Sequence, residues 1–115
     1  MNLLTKEQKQ QLLENGRANA GGERTHDFKP VVKLYCPWNT AIWLLTEIDP
    51  DDYTTAFGLC DLGVGIAELG SVSLTELASV EGPEGLRIER DVHFQPTKTL
   101  SAYAREAQAR PRPKR

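Results

Sequence analysis

The chain has 115 residues, 39% of them apolar and 26% charged, with a formal net charge of −2. That length supports one core, the apolar fraction is too high for a disordered chain, and no run approaches the ~18 apolar residues that span a bilayer. The opening Met1-Asn2-Leu3-Leu4-Thr5-Lys6 lacks the basic start and apolar stretch of a signal peptide, so a cytoplasmic protein with free thiols at Cys36 and Cys60 is expected.

Thr5-Lys6-Glu7-Gln8 has the spacing of a capping box. The helix it opens is expected to stop near Asn15-Gly16, where glycine can take the left-handed cap. Leu12 and Leu13 are its only clear core candidates, which predicts a helix lying on the surface of something larger. Residues 16–29 read as a loop carrying Arg17, Arg24 and Lys29. A stretch of that length without its own element is unusual in a compact domain.

Residues 31–36 and 41–48 read as strands joined by the turn Pro37-Trp38-Asn39-Thr40. Asp49-Pro50-Asp51-Asp52 forms a second turn, leading to a third strand over 54–61. Sequential strands with short connections pair antiparallel, so 31–61 is expected to be a meander. The second strand is apolar on both faces and therefore central, with Ile42, Leu44 and Ile48 on one side and Trp43 and Leu45 on the other. Residues 62–70 are glycine-rich and read as a loop, with 71–73 adding only a short strand. Ser73-Leu74-Thr75-Glu76 opens a short helix over 73–80, which Gly82-Pro83-Glu84-Gly85 stops. Over 86–94, Leu86, Ile88, Val92 and Phe94 alternate with Arg87, Glu89, Asp91 and His93, the pattern of a half-buried strand that Arg90 interrupts. Thr99 can cap a last helix over 99–109, with Leu100, Tyr103, Ala104 and Ala107 on one stripe. Residues 110–115 read as a disordered basic tail. The sum is one α+β domain over 1–109, an antiparallel sheet of four or five strands with two or three helices.

Charge along this chain is segregated. Between Lys33 and Arg87 there is no lysine or arginine, and there are nine carboxylates: Glu47, Asp49, Asp51, Asp52, Asp61, Glu68, Glu76, Glu81 and Glu84. That segment stands at −9, and the chain total of −2 leaves +7 for the two flanks. The middle favours basic partners and cations, whereas phosphates can be met only by the ends.

Each chemistry the residues suggest meets an obstacle. Counted from Asp49, a calcium loop would need Gly at the sixth position and Glu at the twelfth, and the chain has Thr54 and Cys60. Glu47 and Asp61 could form a paired-carboxylate centre, but a hairpin turning at 49–52 puts Asp61 opposite Thr40 or Ala41, about 20 Å from Glu47. Two metals sharing a phosphate sit ~4 Å apart. His93 lies two residues from Asp91 on one face, with no nucleophile identifiable nearby. Zinc would need Cys36, Cys60, His26 and His93 from four separate segments, with no close-spaced pair to seed the site. Gly63-Val64-Gly65-Ile66-Ala67-Glu68 begins like a dinucleotide loop but places Asp61 and Glu68 where phosphate would sit. No metal site and no cofactor is implied. The flanks are the better argument for nucleic acid: Arg17, Arg24, Lys29 and Lys33 before the sheet, and Arg105, Arg110, Arg112, Lys114 and Arg115 after it, with Trp38 and Tyr35 available for stacking.

Several strings have a familiar combination: Asn15-Gly16-Arg17-Ala18-Asn19, Lys29-Pro30-Val31-Val32-Lys33-Leu34, Trp43-Leu44-Leu45-Thr46-Glu47, Ala56-Phe57-Gly58-Leu59-Cys60-Asp61-Leu62-Gly63, Glu68-Leu69-Gly70 and Glu89-Arg90-Asp91-Val92-His93-Phe94. Together they resemble a family of small uncharacterised bacterial proteins, a domain of unknown function often carried on plasmids and integrated elements. The resemblance covers roughly residues 3–105. It implies a setting on mobile DNA, with its transfer or defence functions, and no catalytic residues. The expected function is a non-catalytic accessory protein of a mobile element. An acidic surface of Glu47, Asp49, Asp51, Asp52, Asp61 and Glu68 would meet a basic protein partner, with no role for a membrane. The alternatives are a metal-dependent nuclease using Asp61 or His93, and direct nucleic-acid binding by Arg17, Arg24, Lys29, Arg110, Arg112, Lys114 and Arg115.

Overall fold

Two reciprocal hydrogen bonds start the first helix. Thr5 Oγ1 accepts from the Gln8 amide and Gln8 Oε1 accepts from the Thr5 amide, each at 3.0 Å, which satisfies donors a helix start leaves orphaned. In the computed structural model, which describes residues 3–20, 25–63 and 67–109, this helix α1 runs Lys6–Ala18. It passes through Gly16 instead of stopping there. Leu12, Asn15, Gly16 and Asn19 share one stripe and are all buried, so the larger body on which α1 lies is its own sheet. A Cβ at Gly16 would come 1.9 Å from the Ile48 carbonyl oxygen. Glycine is there to let helix and strand backbones touch.

The strands are β1 Val32–Tyr35, β2 Ile42–Ile48, β3 Thr55–Asp61, β4 Ala67–Ser73 and β5 Glu89–Arg90, in the sheet order β4-β3-β2-β1-β5 with every pairing antiparallel. The meander and the central place of β2 follow the apolar pattern of residues 42–48. Helix α2, Leu74–Ser79, is capped by Ser73, whose hydroxyl accepts from the Glu76 amide at 3.1 Å. After α2 the chain makes a one-turn 3-10 helix, Pro83–Gly85, then crosses to the far edge to form β5. Helix α3, Leu100–Ala109, completes an α+β domain of five strands and three α-helices.

Two cores flank the sheet. On one face Leu12 and Leu77 from the helices meet Val32, Leu34, Trp43, Leu45, Ile48, Ala56 and Ile88. On the other, Leu100 and Ala104 of α3 meet Leu44, Leu59 and Ala67, with Phe57, Tyr103 and Ala107 alongside. Ile48 belongs to the first core and does not share a face with Ile42 and Leu44. The register slips between Leu45 and Glu47, and one extra residue in a strand exchanges the faces of all that follow.

Two more expectations are corrected. Residues 67–70, read as loop, are the first half of β4, in unbroken register with 58–61 of β3. Glycines invite a loop reading, but pairing along a neighbour decides. The strand expected over 86–94 shrinks to Glu89–Arg90. Asp91 Oδ1 accepts from the His93 amide at 2.9 Å, turning the chain, and Val92, expected inside, is 72% exposed. The tail 110–115 lies outside the described residues.

Gly16→Ala tests the helix–strand contact by its sign. Helix propensity alone would favour alanine by ~1 kcal/mol. The 1.9 Å clash with Ile48 should win, and urea unfolding is expected to show a net loss of about 1–3 kcal/mol.

Candidate functional site

Two asparagines at the end of α1 meet the bulge in β2 and the carboxylate that follows it. At the bulge, Asn15 Nδ2 donates to the Thr46 carbonyl at 2.9 Å. Asn15 Oδ1 in turn accepts from Gln11 Nε2 at 2.9 Å. Beyond the bulge, Glu47 stands opposite Phe57. It is only 5% exposed, and its Oε2 accepts from Asn19 Nδ2 at 2.9 Å and from Thr46 Oγ1 at 3.4 Å. A buried carboxylate is tolerated when such donors replace its water. Asn19 also fastens the chain after α1: its Nδ2 donates to the His26 carbonyl at 3.1 Å and its Oδ1 accepts from the His26 amide at 3.0 Å. The His26 ring stacks on Phe28 with centroids 5.5 Å apart.

Glu47 separates two clefts. One, of about 290 Å³, is mainly polar and is lined by Gly16, Asn19, Glu47, Asp49, Asp51 and Ser71 among others. The second, of about 270 Å³, lies toward α3 and is lined by His26, Asp27, Phe28, Glu47, Phe57 and Ser101. Asp27 ties this second cleft to the start of α3, accepting from the Ser101 amide at 3.1 Å and from the Ser101 hydroxyl. Partial burial works to raise the Asp27 carboxyl, but the Ser101 bonds, with Thr99 and Arg105 adding to them, outweigh it and hold it below its usual value.

The β2–β3 turn carries three exposed acids, of which Asp49 and Asp51 line the mouth of the polar cleft. Asp49 Oδ1 accepts from the Asp51 amide at 2.8 Å. Asp52 accepts from the amides of Thr54 and Thr55 and from the Thr55 hydroxyl at 2.8–3.0 Å, and these bonds, that from the Thr55 amide first, lower its carboxyl. Between them Tyr53 adopts φ +62° and is 52% exposed.

The six acids expected to form one surface therefore divide. Glu47, Asp49, Asp51 and Asp52 gather at the β2–β3 end, with Glu47 beneath rather than on the surface. Asp61 is at the opposite end of β3, paired with Ile42 and 9% exposed, and its Oδ1 accepts from the Gly63 amide at 3.0 Å. Glu68 pairs with Cys60 on the face of β4 opposite Asp61, and is exposed. Glu47 pairs with Phe57, two or three residues beyond the expected Thr55 or Thr54, so four residues, about 13 Å, separate it from Asp61 along the sheet. That is still too far for one metal pair. Asp91 accepts from the His93 amide at 2.9 Å and pairs with Lys33 Nζ at 3.8 Å. Among the described residues no group of three or more His, Cys, Asp or Glu side chains is placed to hold a metal ion, and Cys36 and Cys60 are free thiols.

Of the basic candidates, Arg17 and Lys29 are exposed, while Arg24, Arg110, Arg112, Lys114 and Arg115 lie outside the described residues. The Trp38 ring packs over Gly82, where a Cβ would meet it at 2.5 Å, and the Tyr35 hydroxyl donates to Glu89 at 3.1 Å. Asn15, Asn19 and Thr46 were missed as site residues. Their signal is the spacing of Leu12, Asn15, Gly16 and Asn19, which falls on one helical face once asparagine is admitted to the buried stripe.

Residues 3–112 match the model of a family described as "Protein of unknown function (DUF2958)". No curated protein and no solved structure matches the chain.

Two substitutions probe the site. Asn19→Ala should cost about 1–3 kcal/mol in chemical denaturation, because the buried Glu47 carboxylate loses a donor. For Asp27 the folded pKa is below the ordinary 3.8, so the stability it contributes is present above that value and is lost as pH falls through the folded one. Thermal midpoints measured on the acid side of pH ~4 should fall less steeply in Asp27→Asn than in the natural chain.

Proposed function

The chain belongs to the DUF2958 family, whose function is unknown, and from that premise we propose a small non-catalytic binding protein that docks a basic segment of a partner protein at the β2–β3 end of its sheet. One observation carries this reading. Exposed Asp49 and Asp51 border a polar cleft with the buried Glu47 carboxylate at its base, inside a sequence segment without a single lysine or arginine. A lysine or arginine side chain entering there would meet carboxylates and the amide oxygen of Asn19, and would leave its methylenes against Phe57. The partner is envisaged as a protein that itself handles DNA, in the setting of a mobile genetic element. That setting rests on the family resemblance of the strings read above.

The absence of reactive machinery in this reading is supported by geometry. Glu47 and Asp61 are too far apart to share a centre.

Binding of a lysine- and arginine-rich peptide, followed by fluorescence anisotropy across a salt series, tests the proposal. Asparagine at positions 49 and 51 can keep the turn bond while removing both charges. Asp49→Asn with Asp51→Asn is expected to weaken binding about tenfold, or 1.4 kcal/mol, and affinity should fall as salt screens the site. Binding that ignores both the substitutions and ionic strength would remove the electrostatic basis.

A further inference from the structure

We propose that the cavity between the start of α1, helix α2 and the β2–β3 turn binds an amphipathic anion, a small molecule with an apolar body and one acidic head. At about 540 Å³ it falls in the size range of small-ligand pockets. Leu4, Leu74, Ala78 and the Tyr53 ring give it an apolar wall, and the exposed Lys6 and Lys9 stand at its rim. Leu4 and Leu74 also pack on the first core, so the wall has a rigid backing. The charge here is the reverse of the surroundings. Residues 47–84 hold nine carboxylates and no lysine or arginine, yet among the described residues no carboxylate lines this cavity. Its polar lining consists of the two ammonium groups, three threonines and the tyrosine. Lys6 and Lys9 are three residues apart and so share a helix face, and neither has an ion pair among the described residues. The start of α1 adds partial positive charge of the same sign. The nearest acid on the turn, Asp52, accepts instead from Thr54 and Thr55. An apolar body can therefore lie against the leucines while its acidic head meets the lysines.

Tyr53 supplies a second, independent observation. A bulky side chain at φ +62° is an outlier, kept only where the surroundings over-determine it. Here the pins are visible. The Tyr53 amide donates to the Asp49 carbonyl at 2.9 Å, and the Thr54 carbonyl accepts from the Leu74 amide of α2 at 2.8 Å. Glycine would meet this turn with less strain. What tyrosine adds is a half-exposed ring held at the cavity wall, where it extends the apolar surface and presents a phenol. The cavity lies at the opposite end of α1 from Asn19 and takes the opposite charge, so it stands apart from docking of a basic segment.

Titration with decanoate, followed by the amide signals of the full chain in two-dimensional NMR, tests the site. Decanoate should bind with a dissociation constant of ~1 mM or below and shift the amides of Leu4, Lys6, Tyr53 and Thr75. Acetate, which keeps the head without the tail, and decyltrimethylammonium, which keeps the tail with the opposite charge, should leave those amides unmoved. Lys6→Gln with Lys9→Gln removes both charges from exposed helix positions and should weaken decanoate about fivefold. Tyr53→Gly relieves the backbone and should keep the fold by circular dichroism while weakening decanoate. Decanoate that moves no amide around the cavity overturns the proposal. A cationic tail that binds as well as the anionic one, or an affinity indifferent to loss of both lysines, overturns it too, since the recognition would then be apolar alone.

Discussion

The bulge at Thr46 is the constraint on which the rest of the architecture depends. A regular β2 would send Glu47 to the side of Trp43 and Leu45, into the core under α1, and would turn Ile48 away from that core. With one extra residue, Ile48 closes the first core and Glu47 reaches the other side, opposite Phe57. At the irregularity Asn15 of α1 donates to the Thr46 carbonyl, and Asn19 donates to the carboxylate the bulge has displaced. Gly16, between them, lets the helix approach closely enough for both amides to reach.

Polar groups in this position fix geometry more than they add stability. Each buried bond contributes modestly on balance, but an unmet donor or acceptor costs more than the bond gains. Helix, bulge and the chain at His26 are therefore held in one arrangement, because shifting any of them leaves a buried group unsatisfied. The β2–β3 turn grows directly from this rigid end. Its own carboxylates are used in part to shape it, Asp49 and Asp52 each accepting backbone amides. The negative field at the cleft mouth is thus a by-product of turn chemistry as well as a feature that a basic ligand would meet.

The sheet is covered unequally. Helices α1 and α2 and the connection to β5 lie over one face, while α3 packs on β3 and β4 on the other. Near β1 and β5 that second face carries polar side chains instead: Lys33 pairs with Asp91, and the Tyr35 hydroxyl donates to Glu89. This bond, with the nearby charges, raises the Tyr35 phenol above its usual value. The result is an apolar interior toward β3 and β4 and a polar margin toward β5.

Local chemistry was legible in the chain itself. The capping box at Thr5, the Ser73 cap, the two tight turns, the apolar continuity of β2 and the α+β class all depend on neighbours within a few residues, and those neighbours are printed in order. What stayed hidden depends on partners far along the chain. Gly16 looked like a helix end because a glycine's reason there, contact with Ile48, lies 32 residues away. Residues 67–70 looked like loop because their order comes from β3, and Val92 looked buried until Asp91 turned the backbone. The site itself is the clearest case. Charge alone nominated six acids as one surface, yet strand register sent Glu47 inward, Asp61 to the other end and Glu68 to the other face. Composition fixes how many charges a segment holds; only long-range pairing, through a single-residue bulge, decides which of them meet.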